Sequence, residues 1–221
     1  MNRRTYLTCA AATGLVGVSG CLNEVTEEVR DVADGGGREF GEVVTHQGVE
    51  VAPTRWMTTD EITFDVDQGA TLDETPTTGA EFLLTHLKAM NTGDHERELP
   101  SRSSVLGGRS GRNIRIYYAG EETSTVQHED TSTAYEVDGV RLTPYRHSRF
   151  EGDAVGSVYP GTGVEGWIVA EITEGFDAEE TIVEVELGSE NELEPFEWVY
   201  SAAAEVSPEE ESETDDTITE I

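Results

Sequence analysis

Two short stretches of this chain alternate in a way that suits one kind of backbone. From residue 60 it reads Asp-Glu-Ile-Thr-Phe-Asp-Val-Asp, with Ile62, Phe64 and Val66 at every second place. Residues 181–187 repeat the pattern, setting Val183, Val185 and Leu187 against Glu184 and Glu186. A period of two sends neighbouring side chains to opposite faces of a strand. It predicts sheets with one wet and one buried face, as antiparallel pairing allows. No long stretch carries apolar residues three and four apart, so helices should be few. Valine, threonine and aromatic residues dominate from Glu42 onward, and turn residues separate the runs. Strands are expected near 42–51, 55–66, 80–91, 113–118, 165–172, 180–187 and 195–202, which indicates an all-β sandwich or barrel. Trp167 and Trp198 fall inside strands and read as core residues. Asn91-Thr92-Gly93 and Pro160-Gly161 read as turns, because Asn and Gly tolerate positive φ and Pro presets it.

The charge sets the solvent this fold is built for. Lys88 is the only lysine, and 46 Asp and Glu face 14 Lys and Arg. Such a density repels itself in dilute buffer. It is screened at molar salt, where the Debye length is about 3 Å. A surface this acidic and this poor in lysine resembles the proteins of extreme halophiles, haloarchaea in particular. Nucleic acid is disfavoured as a partner, since no net positive field meets the phosphates.

The first twenty residues have the layout of an export signal: Arg3 and Arg4, an apolar run from Tyr6, then small residues before Cys21. The run is shorter than the ~20 residues that span a bilayer. Arg3-Arg4 followed by Tyr6 and Leu7 resembles the twin-arginine export signature. Val18-Ser19-Gly20-Cys21 resembles a lipobox, in which cleavage before Cys21 leaves a thiol that carries lipid. Removing 20 of the 221 residues takes away two arginines and no acid, so the mature chain of 201 residues balances 12 basic against 46 acidic, a charge of −34. Cys9 leaves with the signal and Cys21 is consumed by lipid. The mature domain then has no free thiol for a disulfide or a blue-copper site, and no cofactor or metal is expected. Residues 21–41, with Gly35-Gly36-Gly37, read as a flexible lipidated linker. Residues 203–221 read as a disordered acidic tail, with eight acids from Glu205 on and no base.

Gly79-Ala80-Glu81-Phe82-Leu83-Leu84 through Met90-Asn91-Thr92-Gly93 resembles the central strand and turn of a telokin-like, immunoglobulin-fold family of secreted lipoproteins. Tyr159-Pro160-Gly161 with Val164-Glu165-Gly166-Trp167-Ile168-Val169 resembles a later strand of the same family. The resemblance implies an immunoglobulin-like antiparallel β-sandwich over residues 42–202. The family is largely a domain of unknown function. The stretch 101–158 is longer and more polar than that pattern needs, and is either extra strands or an inserted loop.

No catalytic signature is present: no G-x-S-x-G, no H-E-x-x-H, no phosphate loop. His46, His86, His95, His128 and His147 are not paired at helical ligand spacing. His86, inside a strand, reads as a buried histidine with a satisfied hydrogen bond. The arginines segregate, with Arg109, Arg112 and Arg115 in one group and Arg141, Arg146 and Arg149 in another. If the two groups converge they form an anion-binding patch, because guanidinium forks match phosphate, sulfate and carboxylate. If each pairs locally with Asp or Glu, they are charge balance. The reading that follows is a lipid-anchored protein on the extracellular face of the cell membrane. It is expected to bind or interact within the envelope without catalysis, with an envelope protein, glycan or anionic headgroup as partner. The alternatives are a lipoprotein that captures a small ligand for a transporter, or a carboxylate-dependent hydrolase.

Overall fold

The strand over residues 80–91 buries six consecutive side chains, Phe82 to Leu87. A strand with one wet face cannot do that; both of its faces must be covered. The structure, a computed structural model, describes residues 37–66, 69–100, 114–126, 132–145, 157–189 and 192–215. Its first strands are β1 (Arg38–Glu39), β2 (Val44–His46), β3 (Val49–Thr59), β4 (Ile62–Val66), β5 (Ala70–Glu74) and β6 (Ala80–Asn91). Next come β7 (Arg97–Glu98), β8 (Ile114–Tyr118), β9 (Glu121–Glu122), β10 (Ser124–Thr125), β11 (Ser132–Val137) and β12 (Val140–Leu142). The last are β13 (Ser157–Val158), β14 (Gly163–Thr173), β15 (Thr181–Ser189) and β16 (Glu192–Val199), followed by one helix, α1 (Pro208–Asp215).

The strands form three main sheets. The central one runs β10-β14-β6-β3-β2, a second runs β1-β16-β15-β8-β9, and a third runs β12-β11-β4-β5. Strands β7 and β13 make a separate small pair. Pairing is antiparallel except between β1 and β16. Leu83, Leu87, Ile168, Ala170 and Trp56 of the central sheet pack into a first core with Ile116, Val183, Val185 and Trp198 of the second. Phe82, Leu84, Trp167, Val169 and Met57 face the other way, into a second core with Ile62, Phe64, Tyr135 and Leu142 of the third. The immunoglobulin-like, antiparallel all-β class expected from the sequence is met, and a third sheet is laid on the sandwich. The expectation of one wet face per sheet fails for the central sheet.

Strand β3 serves both cores, and it changes phase between them. Its register against β6 shifts between Pro53 and Arg55, so Thr54 is an extra residue. Before the bulge Val49 and Val51 enter the first core; after it Trp56 does, and Met57 enters the second. Proline is at home there, since a bulge needs no ladder N–H from it. The outer edge of β3 is closed piecemeal, which removes an open template for pairing. β2 pairs along residues 49–51, Gly41 N–H donates to Pro53 O at 2.7 Å, and Val206 N–H donates to Trp56 O at 2.9 Å.

Both ends of the domain reach further than the sequence suggests. Residues 38 and 39, expected in the linker, pair with Trp198 and Val199, and the Phe40 ring lies 4.7 Å from that of Tyr200. The C-terminal segment, expected to be solvated from residue 203, is docked as far as Glu211. Glu205 bridges to Trp56, Val206 packs on the second core, and Glu211 meets Arg55. A lone valine and one ion pair hold a stretch whose composition alone reads as coil. Within 101–158, the described residues hold the expected strand β8 and the added strands β9 to β13.

Candidate binding groove

The third sheet covers half of the central sheet's second face and then stops. The register across β3, β6 and β14 gives that face as a series of rows. Met57, Leu84 and Val169 form a row beneath the third sheet. The next row is Arg55, His86 and Trp167; then Ala52, Lys88 and Glu165; then Glu50, Met90 and Gly163. The last two rows floor an open groove of about 500 Å³, walled by Gly41 and Val43 from the loop that leads into β2. Val43 is 61% exposed and Met90 40%, so apolar area stands in solvent beside the lysine. Gly163 keeps the floor flat: a Cβ there would sit 2.4 Å from Ala89 O.

The boundary row is tightly joined. Thr54 Oγ1 and His86 Nδ1 share a hydrogen bond of 2.7 Å, and the imidazole meets Trp167 edge to face at 5.1 Å. His86 is 5% exposed. Burial, helped by the nearby Arg55 charge, pushes its pKa down to about 3, so it is neutral in the fold. The Arg55 guanidinium lies over Trp167 at 5.7 Å and donates to Glu211 at 2.6 Å. In the next row Lys88 Nζ is 2.8 Å from Glu165. The hydrogen bond from Lys88 holds that carboxyl below its ordinary range, against a smaller opposing effect of burial. The groove therefore offers apolar area with a single ion pair set into it, and a buried neutral imidazole behind.

The loops at the groove's end are gathered by Asn91, which is fully buried. Its Nδ2 donates to His95 O at 2.7 Å and Val158 O at 2.8 Å, and its Oδ1 accepts from Gly93 N–H. The N–H groups of Thr92 and Gly93 donate to Gly48 O in the β2–β3 turn. The Asn-x-Gly motif is thus a structural tie. Trp167 and Trp198 lie in the cores, as expected.

The arginines singled out from the sequence do not meet where they are described. Arg115 stands on the outer face of the second sheet, 2.9 Å from the fully buried Glu184 and 3.2 Å from Glu186. Arg141 stands on the outer face of the third sheet, 2.7 Å from Asp65. The central sheet lies between those two faces. Both arginines pair locally, which is charge balance. Arg109, Arg112, Arg146 and Arg149 lie outside the described residues, as do Cys21, Arg3, Arg4, His128 and His147. Among the described residues no three His, Cys, Asp or Glu are grouped to hold a metal ion, and no helix is long and apolar enough to cross a membrane.

Sequence reasoning missed the groove and missed Arg55. The available signal was the break Pro53-Thr54-Arg55 inside an otherwise apolar run, which marks the phase change that turns Arg55 toward His86.

No protein-family model and no curated protein matches the chain. Among solved structures, the chain is similar to the YjhA protein of Bacillus subtilis, with 11% identity and a TM-score of 0.42 over 74% of this chain and 99% of that one. It is also similar to an uncharacterized β-sandwich protein of Clostridium difficile 630, with 11% identity and a TM-score of 0.38 over 75% and 95%. At these values the likeness adds nothing to the fold read from the strands themselves.

Proposed function

We propose that this protein is a lipid-anchored binding module of the outer membrane face, working without catalysis, and that its binding surface is the groove over Ala52, Lys88 and Met90. The observation that carries the reading is the half-bare central sheet, where Val43 and Met90 stay exposed beside an ion pair while the rest of the same face is covered. Exposed apolar area rimmed by polar groups is characteristic of interaction sites. The tether rests on the sequence: Arg3-Arg4, the apolar run and Val18-Ser19-Gly20-Cys21. The low-lysine, −34 mature chain supports a salt-adapted, haloarchaeal origin and an extracellular station for a twin-arginine substrate. The preferred partner is a neighbouring envelope protein.

A photo-crosslinking side chain at position 90 of the full chain, in native membranes at molar salt, tests this. One discrete adduct is expected at position 90 and none from Leu72, an exposed residue of the third sheet. Equal labelling from both positions, or hydrolytic turnover by the purified protein, overturns the reading. Small-ligand capture is the second reading, because about 500 Å³ falls within the range of small-molecule sites. In that case position 90 yields a low-mass adduct.

A further inference from the structure

The C-terminal segment is ordered although nothing in its composition would order it. Helix α1 reads Pro-Glu-Glu-Glu-Ser-Glu-Thr-Asp, with no apolar residue. Eight residues are too few for a stable isolated helix in water. A capping box helps: Ser207 N–H donates to Glu210 Oε2 at 2.8 Å and Glu210 N–H donates back to Ser207 Oγ. Such a box adds too little to hold a helix of this length by itself. In a chain this acidic, the rest of the body repels the segment. Its order therefore comes from the surface it lies on.

That surface is specific. Trp56 is used twice: its Nε1 donates to Ser201 O at 2.9 Å, and its backbone bridges in parallel to Glu205, its carbonyl accepting from Val206 N–H. Val206 packs on the second core, and five residues on Glu211 reaches Arg55 at 2.6 Å. Arg55 Nε is buried and has no hydrogen-bond partner among the described residues. Backbone pairing at a sheet edge, one apolar anchor and one guanidinium are the components of a peptide receptor.

We propose that the corner built from Arg55, Trp56 and the end of the second core is a receptor for an acidic peptide, extended at a valine and helical through a glutamate five residues on, and that this chain keeps it filled with its own residues 205–211. The corner lies on the edge of β3, apart from the open groove, and stands or falls separately from the function proposed above. The partner it fits is an acidic segment with the same spacing, which competes with the resident one.

The test uses the full chain carrying Val206→Asp and Glu211→Lys, which disable the resident segment, and a fluorescent peptide of sequence 204–215. In molar salt the peptide binds this variant at least tenfold more tightly than wild type, and adding Arg55→Glu abolishes binding. A peptide of scrambled order does not bind. Equal binding to wild type, binding that survives Arg55→Glu, or no binding by a variant that melts like wild type overturns the proposal. Hydrogen exchange in the unmodified chain guards against a misfolded variant. The Val206 amide is protected, and Arg55→Gln lowers that protection at least tenfold; free-peptide exchange at Val206 in wild type overturns the proposal on its own.

Discussion

Thr54 and His86 hold each other across the bulge of β3, Oγ1 to Nδ1 at 2.7 Å, and the residue that breaks the strand's phase is the one that satisfies the buried imidazole. The pair couples the fold to pH. His86 has a folded pKa of about 3 against an ordinary 6.5. The unfolded chain therefore takes up a proton as pH falls below 6.5, while the folded chain does not until about 3. This contribution to stability is complete above 6.5 and is lost progressively between 6.5 and 3, at no more than about 1.4 kcal/mol per pH unit. Urea unfolding in molar salt at pH 7 and pH 5 should give a smaller difference for His86→Gln than for wild type. Thr54→Val should cost about 1 kcal/mol at pH 7, where the imidazole loses its partner.

The Asn91 amide ties its own turn to the loop at Val158. Asn91→Ala leaves the His95 and Val158 carbonyls short of a partner, while Gly93 N–H keeps Gly48 O, and should cost about 2–3 kcal/mol. Asn91→Asp should be no better, because a carboxylate cannot donate to either carbonyl. Urea midpoints at constant m-value measure both.

Gly163 sets the spacing of β6 and β14 at the groove. Gly163→Ala drives a Cβ against Ala89 O, so the two strands must part. The expected cost is about 1–3 kcal/mol. Crosslinking from position 90 should weaken in the same variant, since the floor under Met90 is no longer flat.

The net charge makes stability depend on salt. Raising KCl from about 0.1 M to 1 M shortens the Debye length from ~10 Å to ~3 Å. The melting temperature should rise with it, as self-repulsion among the excess carboxylates is screened. A melting temperature that falls with salt would mean that local ion pairs such as Arg115–Glu184 dominate over the global field.

What the sequence discloses and what it hides have one physical cause. Alternation around Ile62 and Phe64, and around Val183 and Val185, is local, and those strands were legible. The run Phe82 to Leu87 was also legible as a strand, but the cover on both of its sides was not read from it. The third sheet was not readable, because β5 is almost wholly exposed and β12 is three residues long. The groove was not readable either. It exists because the third sheet ends short of Lys88 and Met90, a relation between segments far apart in the chain. The docking of residues 205–211 rests on one valine among acids, too little for any periodicity to reveal. Of the six arginines singled out from the sequence, Arg115 and Arg141 lie among the described residues, and the sheets put those two on opposite outer faces.

The extra residue at Thr54 gives β3 two halves that obey different constraints. Substitutions in residues 49–52 are felt in the first core and the groove floor; those in 55–58 are felt where the two cores adjoin and where the C-terminus docks. Losing that single position would invert the downstream half, turning Trp56 toward the layer that now holds Met57 and swinging Arg55 away from Trp167 and Glu211.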